Sequence, residues 1–148
     1  GAVRVRGFEA SVTGRLTRHW QIIAGYTYLD AEITSASALD GTLGRVPANT
    51  PRNAASLWTT YNFTAAWEAG FGATFSSRVY ASNTNVVAVP GYGRLDATLA
   101  YHQPRYDIRL NVVNVTDRDY TASVIPSDGG RSVPGVGRTG LVTLTCRF

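Results

Sequence analysis

Lysine and methionine are absent from the 148 residues, cysteine occurs once and histidine twice. A single cysteine excludes an internal disulfide and a cysteine cluster, and two histidines leave little material for a zinc site. All 14 basic residues are arginines, set against 10 acids for a net charge of +4, and they are scattered singly. An excess this small and this diffuse does not point to a nucleic-acid partner. Long apolar runs are missing as well. The longest is Val86 to Val89, far short of the roughly 18 residues a membrane-crossing helix requires. The chain opens at Gly1 with neither a methionine nor a basic-then-apolar leader, so the expectation is that it is a piece of something longer.

What is present is alternation with period two. Trp67, Ala69, Phe71, Ala73 and Phe75 alternate with Glu68, Gly70, Gly72, Thr74 and Ser76, and the pattern reads on through Arg78 to Tyr80. That is longer than the usual five or six residues of a strand in a soluble domain. Similar segments run from Val3 to Thr17, Trp20 to Asp30, Arg52 to Asn62, Tyr92 to His102, Tyr106 to Thr116 and Arg138 to Phe148. Threonine, valine, tyrosine and glycine crowd every one of them and no helical stripe survives, so the reading is all-β with about seven long antiparallel strands in a meander.

The connections alternate in length. Short ones fall at Arg18–His19, Asn62–Ala66 and Gln103–Arg105; long polar ones fall at Ala31–Pro51, Ala81–Gly91 and Asp117–Gly137. Short turns at one end, long loops at the other and aromatics beside the short turns match a transmembrane β-barrel of the bacterial outer membrane. On this reading Phe71, Leu99, Leu110 and Val142 meet lipid, while Glu9, Glu68, Arg94, Asp96, Asp107 and Arg109 face a wet lumen. Trp20, Tyr61, Trp67, Tyr101 and Tyr106 form an interfacial aromatic girdle. Seven strands do not close such a barrel, because an open edge in lipid strands backbone polar groups; residues 1–148 are therefore expected to be the C-terminal portion of a larger one. The competing architecture is a soluble carbohydrate-binding β-sandwich with its apolar faces turned inward.

Several strings carry a family resemblance. Gly7-Phe8-Glu9 with Gly14-Arg15-Leu16-Thr17 and Trp20, then Ala24-Gly25-Tyr26-Thr27-Tyr28, are two of them. Pro47-Ala48-Asn49-Thr50-Pro51-Arg52 leads into Leu57-Trp58-Thr59-Thr60-Tyr61. Val89-Pro90-Gly91-Tyr92 with Arg94 and Asp96 precedes Asn111, Asn114, Asp117 and Tyr120. Together they resemble the C-terminal barrel portion of the TonB-dependent outer-membrane receptors. Tyr80-Ala81-Ser82-Asn83-Thr84-Asn85 and the stretch from Ile125 to Gly135 look like the catecholate-siderophore members. The resemblance implies a barrel of roughly 22 strands with an N-terminal plug and a TonB-contacting segment, both outside this chain. It also implies active transport of a ferric siderophore into the cell, driven through TonB, with no cofactor, no resident metal and no enzymatic activity. The rival within the membrane is a passive porin or structural barrel.

Ferric tris-catecholates are anionic and aromatic, so a receptor for them wants cations and aromatic surface at its outer mouth. Arg45, Arg78, Arg118 and Arg131, with Tyr80 and Tyr120, lie in or beside the long loops and are the candidate contacts. Val142, Leu144 and Phe148 resemble the terminal signal read by the barrel-assembly machinery, although Cys146 stands where a large apolar residue is expected. Lipid and lipopolysaccharide are the remaining expected partners. Gly135 to Gly140 spells G-x-G-x-x-G but enters a strand instead of leaving one, so it is expected to serve a tight turn and not a nucleotide. Asn62-Phe63-Thr64 and Asn114-Val115-Thr116 are formal glycosylation sequons without weight here. Glu68 and Asp96 read as luminal charges neutralised by Arg94 and Arg109.

Overall fold

A computed structural model describes residues 1–148. Its strands are β1 (Ala2–Arg15), β2 (Trp20–Ser35), β3 (Asn53–Asn62), β4 (Trp67–Ser76), β5 (Val79–Tyr80), β6 (Ala88–Val89), β7 (Tyr92–His102), β8 (Tyr106–Val113), β9 (Thr121–Ile125), β10 (Arg131–Pro134) and β11 (Thr139–Cys146). Seven of them form one antiparallel sheet in the order β1-β2-β3-β4-β7-β8-β11, while β5 with β6 and β9 with β10 are two-stranded hairpins inside the long loops. The seven expected strands are thus present. The two hairpins are an addition that the sequence reading did not contain.

The sheet has no second sheet against it. Nine residues of the chain are buried, and the accessible surface is 9764 Å². A folded soluble monomer of this mass exposes about 7,400 Å². This excludes the sandwich, whose apolar faces would have sealed a core. Strand pairing sorts the faces cleanly. Leu99 lies opposite Leu110, and Leu110 opposite Val142, in one row. Phe71 lies opposite Ala97 on the same side. On the other side Asp96 lies opposite Gly72, Gly72 opposite Trp58, and Trp58 opposite Ile23.

Strand ends have local causes. At the short turns, Thr17 Oγ1 accepts from the His19 and Trp20 N–H groups, and Thr64 Oγ1 accepts from Ala66 and Trp67 in the same way. Each threonine closes its turn three residues before a tryptophan. β4 stops at Ser76, short of the Tyr80 that alternation suggested. Its partner β7 begins at Tyr92 after Pro90, which has no N–H to extend the ladder, so Val79 and Tyr80 pair with Val89 and Ala88 instead. β8 stops at Val113, short of Thr116, because Asn114 turns left-handed with φ of 53°. β2, expected to end at Asp30, continues to Ser35 because β1 runs beside it as far as Ala2.

Candidate functional site at the long-loop end

The loop after β8 leaves the wall through a fixed set of polar contacts. Asn114 is fully buried. Its N–H donates to Asp96 Oδ1 at 2.9 Å, and its Nδ2 donates to the carbonyls of Arg118 at 2.9 Å and Val136 at 3.0 Å. Its Oδ1 accepts from the Arg118 N–H, so every polar atom of the amide is used. Asp117, also left-handed with φ of 53°, accepts the Arg138 N–H at the far end of the loop. Asparagine and aspartate tolerate this backbone better than other side chains with a Cβ, which gives the physical reason for those two residue types there.

The same clamp explains the paired tyrosines. Tyr120 stacks on Tyr92 with ring centroids 4.5 Å apart, and Arg94 Nη1 donates to its hydroxyl while the rest of the guanidinium holds Asp96. Gly135 lies flat on the Tyr120 ring: a Cβ there would stand 2.2 Å from Cζ. The glycine motif from Gly135 to Gly140 therefore differs from expectation. None of its glycines has positive φ, and Gly135 is required for close approach to an aromatic ring, not for a tight turn. Asn114, read as an idle sequon, is the centre of the clamp.

The six candidate contacts all sit at the long-loop end, but not in one cavity. Arg78 and Tyr80 share a cavity of about 290 Å³ with Asp30, Arg52 and Val46, and Arg78 lies over the Tyr80 ring at 5.7 Å. Arg118 and Tyr120 share a second, of about 360 Å³, with Pro90 and Tyr92. Arg45 and Arg131 line neither. Their electrostatic states differ too. Arg131 Nε is paired with Asp128 at 2.9 Å, whereas Arg45, Arg78 and Arg118 have no carboxylate in salt-bridge range. Arg52 was not among the candidates. It donates to the Tyr28 hydroxyl at 3.0 Å and stands 3.8 Å from Asp30, and those two groups raise its already high pKa, the hydroxyl most.

The long loops are tied to one another by asparagines that the sequence reading left unassigned. Asn49, left-handed with φ of 54°, donates its N–H to Tyr80 O and accepts the Val124 N–H on Oδ1. Asn85 Oδ1 accepts the Val46 N–H at 2.8 Å while its Nδ2 donates to Val46 O at 2.7 Å, and Asn83 accepts the Ala48 N–H. Ala81, Val89 and Val124 bury one another beneath these ties. The signal in the sequence was an asparagine flanked by loop residues, which marks turns in general and partners in none.

Inside the wall the expected charge pairs are present: Arg109 Nη1 is 3.2 Å from Glu68 and Arg94 Nη2 is 2.8 Å from Asp96. The lumen face is not uniformly polar, however. Trp58 and Ile23 lie on it side by side, and Ile23 is 55% exposed. At the short-turn rim Trp20 pairs across from Tyr61 and Trp67 from Tyr101, with Tyr106 6.3 Å from Tyr101, so the five aromatics expected to form a girdle follow one edge. Asp107 there is gripped by His102 and by Arg147, whose backbone N–H also reaches Arg105 O. Val142, Leu144 and Cys146 share one face of β11, and all are exposed together with Phe148.

A family model described as TonB dependent receptor-like, β-barrel, matches residues 1–115. The catecholate siderophore receptor Fiu of Escherichia coli (strain K12) is 39% identical over 155 residues, covering 100% of this chain and 20% of that protein. The probable TonB-dependent siderophore receptor PiuA of Acinetobacter baumannii is 38% identical over 130 residues, covering 81% of this chain and 18% of that protein. The crystal structure of the siderophore receptor PiuA superposes with a TM-score of 0.84 at 32% identity, over 96% of this chain and 21% of that one. The chain thus spans about a fifth of the length of the curated relatives it matches. The family is one of outer-membrane β-barrel receptors and not of enzymes. With long strands, one-sided long loops and this match over most of its length, the chain belongs to the TonB-dependent receptor β-barrel family.

Proposed function

We propose that residues 1–148 are the C-terminal strands and loops of a receptor that captures ferric siderophores of the catecholate type at the cell surface and passes them inward on energy delivered through TonB. TonB would be engaged by a part of the protein outside this chain. The observation that carries the reading is the set of loop cations without carboxylate partners: Arg45, Arg78 and Arg118. An unpaired guanidinium beside an aromatic ring, as in Arg78 over Tyr80, offers both the charge and the π surface that an anionic tris-catecholate presents in complement. Arg131, its charge already engaged with Asp128, contributes less, and Tyr120 offers aromatic surface in the cavity it shares with Arg118. The similarity to Fiu and PiuA supports the ligand class.

The rest of the chain serves the membrane. Trp20, Tyr61, Trp67, Tyr101 and Tyr106 mark the inner interface with lipid, Val142, Leu144 and Phe148 present the last strand to the barrel-assembly machinery, and outward arginines above the apolar band meet lipopolysaccharide phosphate. The test is a titration of the full-length receptor with the ferric complex of 2,3-dihydroxybenzoate, followed by tryptophan quenching. Replacing Arg45, Arg78 and Arg118 together by alanine is expected to abolish saturable quenching while leaving the barrel folded. Unchanged quenching removes these residues from the site.

A further inference from the structure

We propose that Asn49 is a positioning residue that fastens the three long loops into a single layer, so that the loop arginines are held at fixed separations before any ligand arrives. The inference about loop order stands on geometry alone; its consequence for ligand affinity rests on the function proposed above.

Asn49 touches all three loops at once. It belongs to the loop after β2, its N–H is bonded to Tyr80 O in the loop after β4 at 2.9 Å, and its Oδ1 accepts from Val124, 75 residues further on, in the loop after β8. Its φ of 54° makes this possible, because the left-handed turn aims the N–H and the side-chain oxygen at different neighbours. The first and second loops are joined again by the Asn85 amide, which takes both the N–H and the carbonyl of Val46 as another strand would. The second and third are joined by packing. Gly130, with φ of 79°, lies so close to Ala81 that a Cβ on it would stand 2.8 Å from the Ala81 Cβ, and Ala81, Val89 and Val124 are each less than a tenth exposed. Arg45 lies next to Val46, Arg78 two residues before Tyr80, and Arg131 next to Gly130. Each of these three arginines is therefore within two residues of a tie between loops, whereas Arg118 is held within its own loop by Asn114. A ligand that binds a layer already ordered does not bear the entropy of ordering separate loops.

The experiment uses the full-length receptor in lipid nanodiscs and three substitutions. Asn49→Gly keeps the backbone conformation and the N–H and deletes the side-chain acceptor; Asn49→Asp keeps the acceptor and tolerates the same backbone; Asn85→Ala removes the second tie. Amide hydrogen exchange is followed in residues 45–52, 77–91 and 121–134. A single loop layer predicts that Asn49→Gly speeds exchange in all three segments together, by about three- to tenfold for one lost hydrogen bond, and that Asn49→Asp returns them to wild type. Asn85→Ala should likewise speed exchange in 121–134, which Asn85 does not touch. If Asn49→Gly leaves 77–91 at the wild-type rate, or Asn85→Ala leaves 121–134 at the wild-type rate, the loops are independent and the proposal is overturned. In the second arm, binding of ferric 2,3-dihydroxybenzoate should weaken in Asn49→Gly through a slower association rate, by the factor seen in exchange, and recover in Asn49→Asp. An unchanged association rate despite joint loosening overturns the positioning role. Failure of the wild-type receptor to bind the probe strikes the catecholate reading alone, and the exchange arm still decides whether the loops are one layer.

Discussion

The wall and the loop layer of this protein solve the same problem by opposite means. Of 82 backbone–backbone hydrogen bonds, 62 lie within strands, so the wall is held by its main chain and its side chains are left free to suit the solvent on each face. The loops have little ladder to rely on. There the unpaired peptide groups are satisfied by the side chains of Asn49, Asn83, Asn85, Asn114 and Asp117, and three small apolar residues supply a core. The difference teaches where substitution is tolerated. On the wall the chemistry of a face matters and the individual side chain matters less; in the loops individual amides carry the connections between segments that share no ladder.

Five substitutions in the full-length receptor would sharpen or break that contrast. The largest effect is expected on the wall, where Phe71→Arg places a charge on the lipid face and should cost about 2–4 kcal/mol at mid-bilayer. Normal heat-modifiable mobility and unchanged denaturant unfolding in lipid would show that this face is not in hydrocarbon. Next is Asn114→Ala at the seam, which takes the donor away from the Arg118 and Val136 carbonyls for about 2 kcal/mol. Limited proteolysis should then cut within residues 115–138 while the barrel remains heat-modifiable; resistance equal to wild type would contradict the clamp.

The third comparison is between two loop arginines. Arg118→Ala should weaken ferric 2,3-dihydroxybenzoate binding by roughly tenfold, the loss of one charge-assisted contact, and Arg131→Ala by less because its charge is already engaged with Asp128. Titrations giving the reverse order would mean that the ion pair opens on binding and that unpaired charge is the wrong guide. Smallest is Glu32→Gln, which breaks an exposed pair with Arg4 at the outer end of β1 and β2. Its effect on unfolding should lie within about 0.5 kcal/mol, since exposed pairs are screened; a larger loss would mark that pair as sheltered.

Legibility followed the same division. The alternation of Phe71 with Gly72 and of Leu99 with Thr98 reported which residues share a face, because side-chain direction in a strand is fixed by parity. The ion pairs Arg109–Glu68 and Arg94–Asp96 followed from register once the strands were right. That Trp20, Tyr61, Trp67, Tyr101 and Tyr106 lie along one edge was legible from their nearness to short turns. Trp58 and Ile23 were not expected as neighbours on the lumen side, since alternation assigns a residue to a face but does not say which medium will tolerate it. Candidate contacts were legible only as types. Six loop residues had the right chemistry, yet nothing in the string separates Arg131, which has a carboxylate three residues away in reach, from Arg118, which has Asp117 and Asp119 on either side and pairs with neither.

By itself the sequence determined the periodicity, the number of long strands, the asymmetry of the connections and hence a membrane-spanning antiparallel wall, because those properties are local and repeat along the chain. Tertiary structure decided what each loop residue does. Asn49 joins residues 75 apart and Asn114 binds carbonyls on both sides of a long loop. Contacts of that kind depend on where the wall brings the loop ends, a quantity that is carried by no short stretch of sequence.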